Sequence, residues 1–354
     1  MATLARILDQ HSREGELWAP LEGQQLRCLA CGHRCAVAEG RRGVCQVRFN
    51  REGKLYVPWG YVAGLHSDPI EKKPFFHVLP GSAALSFGML GCNLHCPFCQ
   101  NWVSSQALRD PAAGSSIHRI EPEHMVRLAV ESGAAALVST YNEPLITAEW
   151  AVEVFRTAHQ AGLLTGFVSN GYATPEVLDY LRPHLDLFKV DLKSFDDEHY
   201  RRLGGRLAPV LDSIRRIHAL GFWLEVVTLV VPGFNDSDDE LARIAGFLAG
   251  ISPDIPWHVT AFHADYRMLE PPATPAATLV KAAAIGRREG LRFVYAGNLP
   301  ARLDHLEDTL CPGCGAKLVV RFGYRILRNR LAAGGACPAC GAAVPGRWSG
   351  GKAG

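Results

Sequence analysis

Between residues 83 and 297, short apolar runs alternate with amphipathic stretches, and this alternation limits the fold more than any other feature of the chain. The runs 83–89, 134–140, 163–169, 185–192, 222–231, 257–263 and 291–296 read as strands. The stretches 121–132, 145–161, 175–182, 207–220, 238–248 and 279–289 read as helices. Thr174-Pro175 has the form of an N-cap followed by a first-turn proline, and Asp236 and Ser237 offer further caps. Gly162, Gly221 and Gly290 stand just past helix ends. Alternation at this spacing means a parallel sheet, and runs that are apolar on both faces mean that helices cover it. Six strand–helix units and a last strand suit a partial (β/α)6 barrel, since the segment is short for eight full units. The expected class is α/β.

The eleven cysteines fall into three groups outside and inside this segment: Cys28, Cys31, Cys35 and Cys45; Cys92, Cys96 and Cys99; Cys311, Cys314, Cys337 and Cys340. A disulfide framework belongs to small secreted chains, whereas this one has 354 residues and no apolar signal core within Met1–Gln10. Clustered thiols in a reducing compartment read instead as metal ligands. No window holds about 18 consecutive apolar residues, so no membrane span is expected and the cytoplasm is the expected location. A hydrophobic share of 48% with 20% charged residues excludes disorder and a coiled coil. Three parts follow: residues 1–66 as a cysteine-rich metal-binding segment, 67–306 as the barrel, and 307–354 as a metal ribbon.

Gly91-Cys92-Asn93-Leu94-His95-Cys96-Pro97-Phe98-Cys99 offers three thiolates, not four, just beyond the first expected strand. Three thiolates hold three irons of a [4Fe–4S] cube and leave the fourth iron open, as a catalytic site requires. In parallel α/β folds, that end of the strands is where chemistry sits. The structural alternative is a three-cysteine zinc site completed by His95. A closed four-cysteine electron carrier is excluded by ligand count.

The spacing CxxxCxxC with Phe98 before the last cysteine resembles the radical S-adenosylmethionine (SAM) superfamily. Other motifs fall at successive strand ends: Tyr141-Asn142-Glu143-Pro144, Ser169-Asn170-Gly171, Asp191-Leu192-Lys193, His263, and Tyr295-Ala296-Gly297-Asn298. The resemblance implies an iron–sulfur cluster on Cys92, Cys96 and Cys99. It implies that SAM binds the open iron and is cleaved reductively to a 5′-deoxyadenosyl radical, with an external electron donor. Phe98 would pack near the adenine. Asn142 and Glu143 would receive the SAM ammonium, with Tyr141 and Asn142 standing where the family has two glycines. Ser169, Asn170, Asp191, Lys193, His263 and Asn298 would complete the SAM contacts. The further motifs Asp68-Pro69-Ile70-Glu71-Lys72-Lys73-Pro74 and Val231-Pro232-Gly233-Phe234-Asn235-Asp236 make the chain similar to the radical SAM enzyme of the AmmeMemoRadiSam system. That group resembles pyruvate formate-lyase activating enzyme and usually accompanies two partner proteins.

Cys311-Pro312-Gly313-Cys314 and Cys337-Pro338-Ala339-Cys340 form two knuckles of a zinc ribbon with a structural Zn²⁺. The N-terminal spacing is less regular and takes Zn²⁺ or an auxiliary cluster, with His33 as a substitute ligand; zinc is the favoured reading. Residues 309–354 carry seven basic and no acidic side chains, so Arg321, Arg325, Arg328 and Arg330 could meet phosphates beside Phe322 and Tyr324. The substrate is left open as a small molecule, a protein residue or an RNA base. Three functional classes follow: a radical SAM enzyme acting on such a target, a glycyl-radical activase, and a non-enzymatic zinc-dependent binding module. Iron content separates the last from the others.

Overall fold

A computed structural model describes residues 3–299 and 305–349. Its centre is an eight-stranded sheet: β1 (Gly64–Pro69), β2 (Ala83–Gly88), β3 (Ala134–Ser139), β4 (Leu164–Ser169), β5 (Leu187–Asp191), β6 (Trp223–Val230), β7 (Trp257–Ala261) and β8 (Val294–Gly297). The strands lie side by side in chain order. Strands β2 to β8 are parallel, and β1 pairs antiparallel with β2 along one edge. Every expected strand and helix of residues 83–297 is present within a few residues. Strand β1 was not foreseen, because its residues are mostly half-buried or exposed and carry no apolar alternation. It also runs through the junction expected after residue 66.

Helices α1 (Pro122–Glu131), α2 (Ala148–Gln160), α3 (Pro175–Leu181), α4 (Asp197–Arg202), α5 (Leu207–Ala219), α6 (Asp238–Ile251) and α7 (Ala276–Arg288) connect the parallel strands. Thr174 caps α3 by accepting from Val177 N, and Ser237 caps α6 by accepting from Glu240 N. Leu178, Ile214, Leu241 and Leu279 bring the helices onto one face of the sheet in a single apolar core. Parallel register stacks side chains of the other face in rows. Asp191, Val227, His258 and Tyr295 form one row, and Leu229, Thr260 and Gly297 form the next.

Residues 12–62 contribute short strands that pack onto the same core through Leu26, Val37, Leu55 and Val57. The buried pair of Arg48 and Glu149 ties this segment to α2 with two contacts of 2.7 Å. At the other end, Thr309–Leu310, Lys317–Phe322 and Arg325–Asn329 form a three-stranded antiparallel sheet. Leu318 and Val344 there share an apolar cluster with Phe76, Phe293 and Tyr295. Arg321 is 2% exposed, donates to the Phe76 carbonyl at 2.7 Å and lies over the Phe76 ring at 4.3 Å. It is therefore a packing residue and is closed to phosphate, which corrects the sequence expectation. Arg325, Arg328 and Arg330 stay exposed beside Phe322 and Tyr324. The chain end from residue 350 on, with Lys352, lies outside the described residues.

Candidate active site

Beyond the end of β2, the chain folds into a loop that returns at the short helix Trp102–Ser105. Gly91 N donates to the Ser104 carbonyl at 3.0 Å, and Gln106 and Arg109 both donate to the Leu94 carbonyl. Gly91 has φ +94, and a Cβ there would stand 2.9 Å from Val47 Cγ1 and 3.1 Å from the Cys45 carbonyl. The loop can pack against the N-terminal segment only because that side chain is absent.

Cys92, Cys96 and Cys99 all line one cavity of about 630 Å³. Leu94 N donates to Cys92 Sγ at 3.4 Å, and Cys99 Sγ lies 3.2 Å from Ser105 Oγ. Burial pushes the Cys92 thiol well above its ordinary range, and the charges of Glu143 and Cys96 push it further. Burial likewise raises Cys96, to about 11, although Lys193 opposes it. Cys92 and Cys96 held this way shed their protons when a cation takes the charge. The donor set of three cysteines therefore fits an iron–sulfur cluster with three protein ligands.

Glu143 follows the end of β3 and lines the cavity beside the loop, with its N donating to the Gly91 carbonyl at 3.4 Å. Its carboxylate accepts from Ser169 Oγ at 2.7 Å, Asn170 N at 2.8 Å and Leu145 N at 3.0 Å. Burial outweighs these donors and pushes the carboxyl up to about 7. Tyr141, two residues earlier, has φ +69, a rare conformation for an aromatic residue. Its ring is held by Lys73 Nζ at 5.3 Å from the centroid and by the edge of His66 at 5.5 Å. The turn thus keeps a glycine-like backbone without glycine, at a strain of about 1–3 kcal/mol.

On β5, Asp191 contacts Lys189 Nζ and lies 3.6 Å from Lys193 Nζ. Burial raises the Asp191 carboxyl, but the two ammonium groups outweigh it and bring it below its ordinary range. Burial lowers Lys193, and Asp191 with the Cys96 thiol more than reverses that. The sheet thus presents a fixed cation–anion–cation ladder to the cavity.

The structure gathers most of the expected site residues. Phe98, Asn142, Glu143, Asn170, Asp191, Lys193 and Asn298 line the cavity with the three cysteines. Ser169 is buried behind Glu143 and supports it. His263 is the exception. Strand β7 ends at Ala261, so His263 sits on an exposed turn, outside the cavity lining, with Nε2 3.0 Å from Gln100 Nε2. Gln100, its neighbour, does line the cavity. Lys189 and Lys73 line the cavity unforeseen. Lys189 was within reach of a period-two count back from Asp191 and Lys193, and Lys73 lies in a motif already singled out. Tyr324 and Glu307, which also line it, come from or next to the C-terminal sheet and carry no such local signal.

Cys311, Cys314, Cys337 and Cys340 bring their sulfurs within 4.8 Å of one another, the spacing of ligands around one ion. Among the described residues this is the one group of three or more such side chains packed that closely. Cys28, Cys31 and Cys45 are buried and Cys35 half-buried. His33 Nε2 is 2.8 Å from the Asn93 carbonyl, which leaves Nδ1 as its other ring nitrogen.

The family model of the radical SAM superfamily matches residues 88–245. The uncharacterized protein MJ0808 of Methanocaldococcus jannaschii is 36% identical over 312 residues, covering 88% of this chain and 92% of that one. A pyruvate formate-lyase-activating enzyme of Staphylococcus aureus is 25% identical over 183 residues, covering 49% of this chain and 72% of its own. A radical SAM methyltransferase from Sphaerobacter thermophilus aligns at 15% identity and a TM-score of 0.48, covering 81% of this chain and 80% of that one.

Proposed function

The chain belongs to the family of the Methanocaldococcus jannaschii protein and carries a radical SAM domain, and on that premise we propose an enzyme that uses SAM to abstract hydrogen from a substrate in the cavity. One observation carries the reading: the three cysteines of the loop and the polar ends of β3, β4 and β5 line the same cavity. When bound, a [4Fe–4S] cluster on Cys92, Cys96 and Cys99 supplies the electron that cleaves SAM to a 5′-deoxyadenosyl radical.

The chain's own residues bind and exclude. Glu143, held by three donors, offers its carboxylate to the SAM ammonium. The ladder of Lys189, Asp191 and Lys193 offers a cation to the SAM carboxylate and an acceptor to the ribose. Phe98, packed on Phe234 at 5.6 Å, and Asn298 supply the wall for the adenine. The sheet is read as a partial barrel and the C-terminal four-cysteine unit as a zinc ribbon. The AmmeMemoRadiSam grouping, with its partner proteins and an external electron donor, is the favoured context. Tyr141 and Asn142 in place of two glycines, together with Val168 where glycyl-radical activating enzymes often have an aspartate, favour a target other than pyruvate formate-lyase itself: a small molecule, another protein residue or RNA.

The test is anaerobic incubation of the reconstituted, reduced protein with SAM, reading 5′-deoxyadenosine. Cys96→Ala should abolish that product while the C-terminal four-cysteine unit keeps its metal. Product formed by Cys96→Ala would overturn the assignment. A second reading, a glycyl-radical activase, is favoured by the similarity to the Staphylococcus aureus enzyme. It predicts a glycyl radical on a partner protein, visible by electron paramagnetic resonance (EPR).

A further inference from the structure

The N-terminal cysteines are a set of metal-ligating side chains that the proposed reaction leaves unused. Strand Leu26–Cys28, the turn after it and the loop at Gly43 to Cys45 bring them together. Cys28 N donates to the Cys35 carbonyl at 2.9 Å, and Val44 N donates to Cys35 Sγ at 3.5 Å. Cys28, Cys31 and Cys45 are buried and Cys35 is half-buried in this unit.

Their spacing differs from that of the C-terminal set. Four thiolates on one zinc, at a Zn–S distance of about 2.3 Å, stand about 3.8 Å apart. Cys311 and Cys340 are 3.5 Å apart and Cys314 and Cys337 are 3.8 Å apart, which meets that geometry. Among the described residues, no three of the N-terminal sulfurs come within 4.8 Å of one another, and neither do Cys92, Cys96 and Cys99. In a [4Fe–4S] cube each thiolate takes its own iron, which sets the sulfurs wider than ligands that share one ion.

A second observation points to a metal at Cys31. Asn93 is wholly buried between the two cysteine groups. Its Oδ1 accepts from Asn170 Nδ2 at 2.7 Å and lies 3.8 Å from Cys92 Sγ. Its Nδ2 makes no hydrogen bond of ordinary geometry among the described residues, and the acceptor within its reach is the Cys31 sulfur. A buried amide without an acceptor costs about 1–3 kcal/mol. A metal-bound Cys31 thiolate is an acceptor of the right kind, so the amide marks Cys31 as a ligand and the sulfur spacing separates a cluster from zinc.

We infer that Cys28, Cys31, Cys35 and Cys45 hold a second iron–sulfur cluster, in place of zinc, with the Asn93 side chain between it and Cys92. The neighbouring cluster is that of the proposed function; the site itself does not depend on it.

Metal analysis of the anaerobically prepared full chain should find about eight irons and one zinc. The variant Cys92→Ala/Cys96→Ala/Cys99→Ala should keep about four irons, acid-labile sulfide and the EPR signal of a reduced cluster. Adding Cys28→Ala and Cys31→Ala should remove them. Two zincs and no iron in the three-cysteine variant would overturn the inference. If that variant loses no iron relative to the unmodified chain, the loop reading fails and the N-terminal cluster stands. Asn93→Leu, which keeps every cysteine, should shift the EPR signals of both clusters. A shift confined to the loop cluster would overturn the placement of Asn93.

Discussion

At the residue scale, Glu143 is the most informative group. Three donors favour its ionised form, yet burial holds the carboxyl near 7. The fold raises this pKa above the unfolded value of 4.5, so its contribution to stability is present below that value and is lost as pH rises through about 7. A bound ammonium reverses the balance, because it pairs with the ionised carboxylate. SAM affinity should therefore rise between pH 6 and pH 8 and level off above, as followed by equilibrium binding. Glu143→Gln should flatten that profile and weaken binding by about 1.5–3 kcal/mol, roughly ten- to a hundred-fold. A profile unchanged in the variant would remove Glu143 from the SAM site. Glu143, Asp191 and Lys193 could be read from the sequence because strand ends mark them. Asn93 could not, because its partners lie 77 residues ahead, at Asn170, and across the fold, at Cys31.

At the scale of elements, two contacts fix the N-terminal segment, one to the reactive loop and one to α2. Gly91→Ala places a methyl group against the Cys45 carbonyl, which is backbone and cannot move aside, at a φ that alanine disfavours. It should lower the melting temperature and cut iron retention in the loop, measured together on the anaerobic protein. Glu149 is the second contact. It accepts two bonds from Arg48 and one from Leu17 N, all buried. Glu149→Gln leaves the Arg48 charge underpaired and should cost about 3–5 kcal/mol of stability by denaturant unfolding. Helices and parallel strands were legible here because their periods, caps and breakers are local. Strand β1 was not, since its pairing with β2 is set by the sheet edge it covers and not by its own pattern.

At the scale of the whole molecule, the C-terminal unit is joined to the sheet by an apolar cluster with Phe76, Phe293 and Tyr295 and by hydrogen bonds. His77 bonds the Pro345 carbonyl at 2.6 Å, Arg347 N donates to the His77 carbonyl at 2.7 Å, and Arg321 reaches the Phe76 carbonyl. Beneath them, the Glu225 carboxylate accepts from Phe76 N, His77 N, Trp223 Nε1 and His258. Loss of the metal from Cys311, Cys314, Cys337 and Cys340 should therefore destabilise the entire chain. Cys340→Ala should lower a single thermal transition; two separate transitions would mean that the unit unfolds alone. Tyr324 also reaches the cavity lining, so the same variant should weaken substrate turnover even with the loop cluster intact.

The sequence by itself determined what nearby residues settle together. Period and capping placed seven strands and the helices between them, and cysteine spacing named the three groups of thiolates. Those are properties of segments a few residues long. Tertiary structure alone decided that Arg321 is buried, that His263 stands outside the cavity and that Tyr324 lines it. It also decided how far apart each set of sulfurs stands, and with it which set suits one ion. Each of these is a distance between elements far apart in the chain. No local pattern contains such a distance, because it is fixed only when the sheet, the loop and both terminal units pack together.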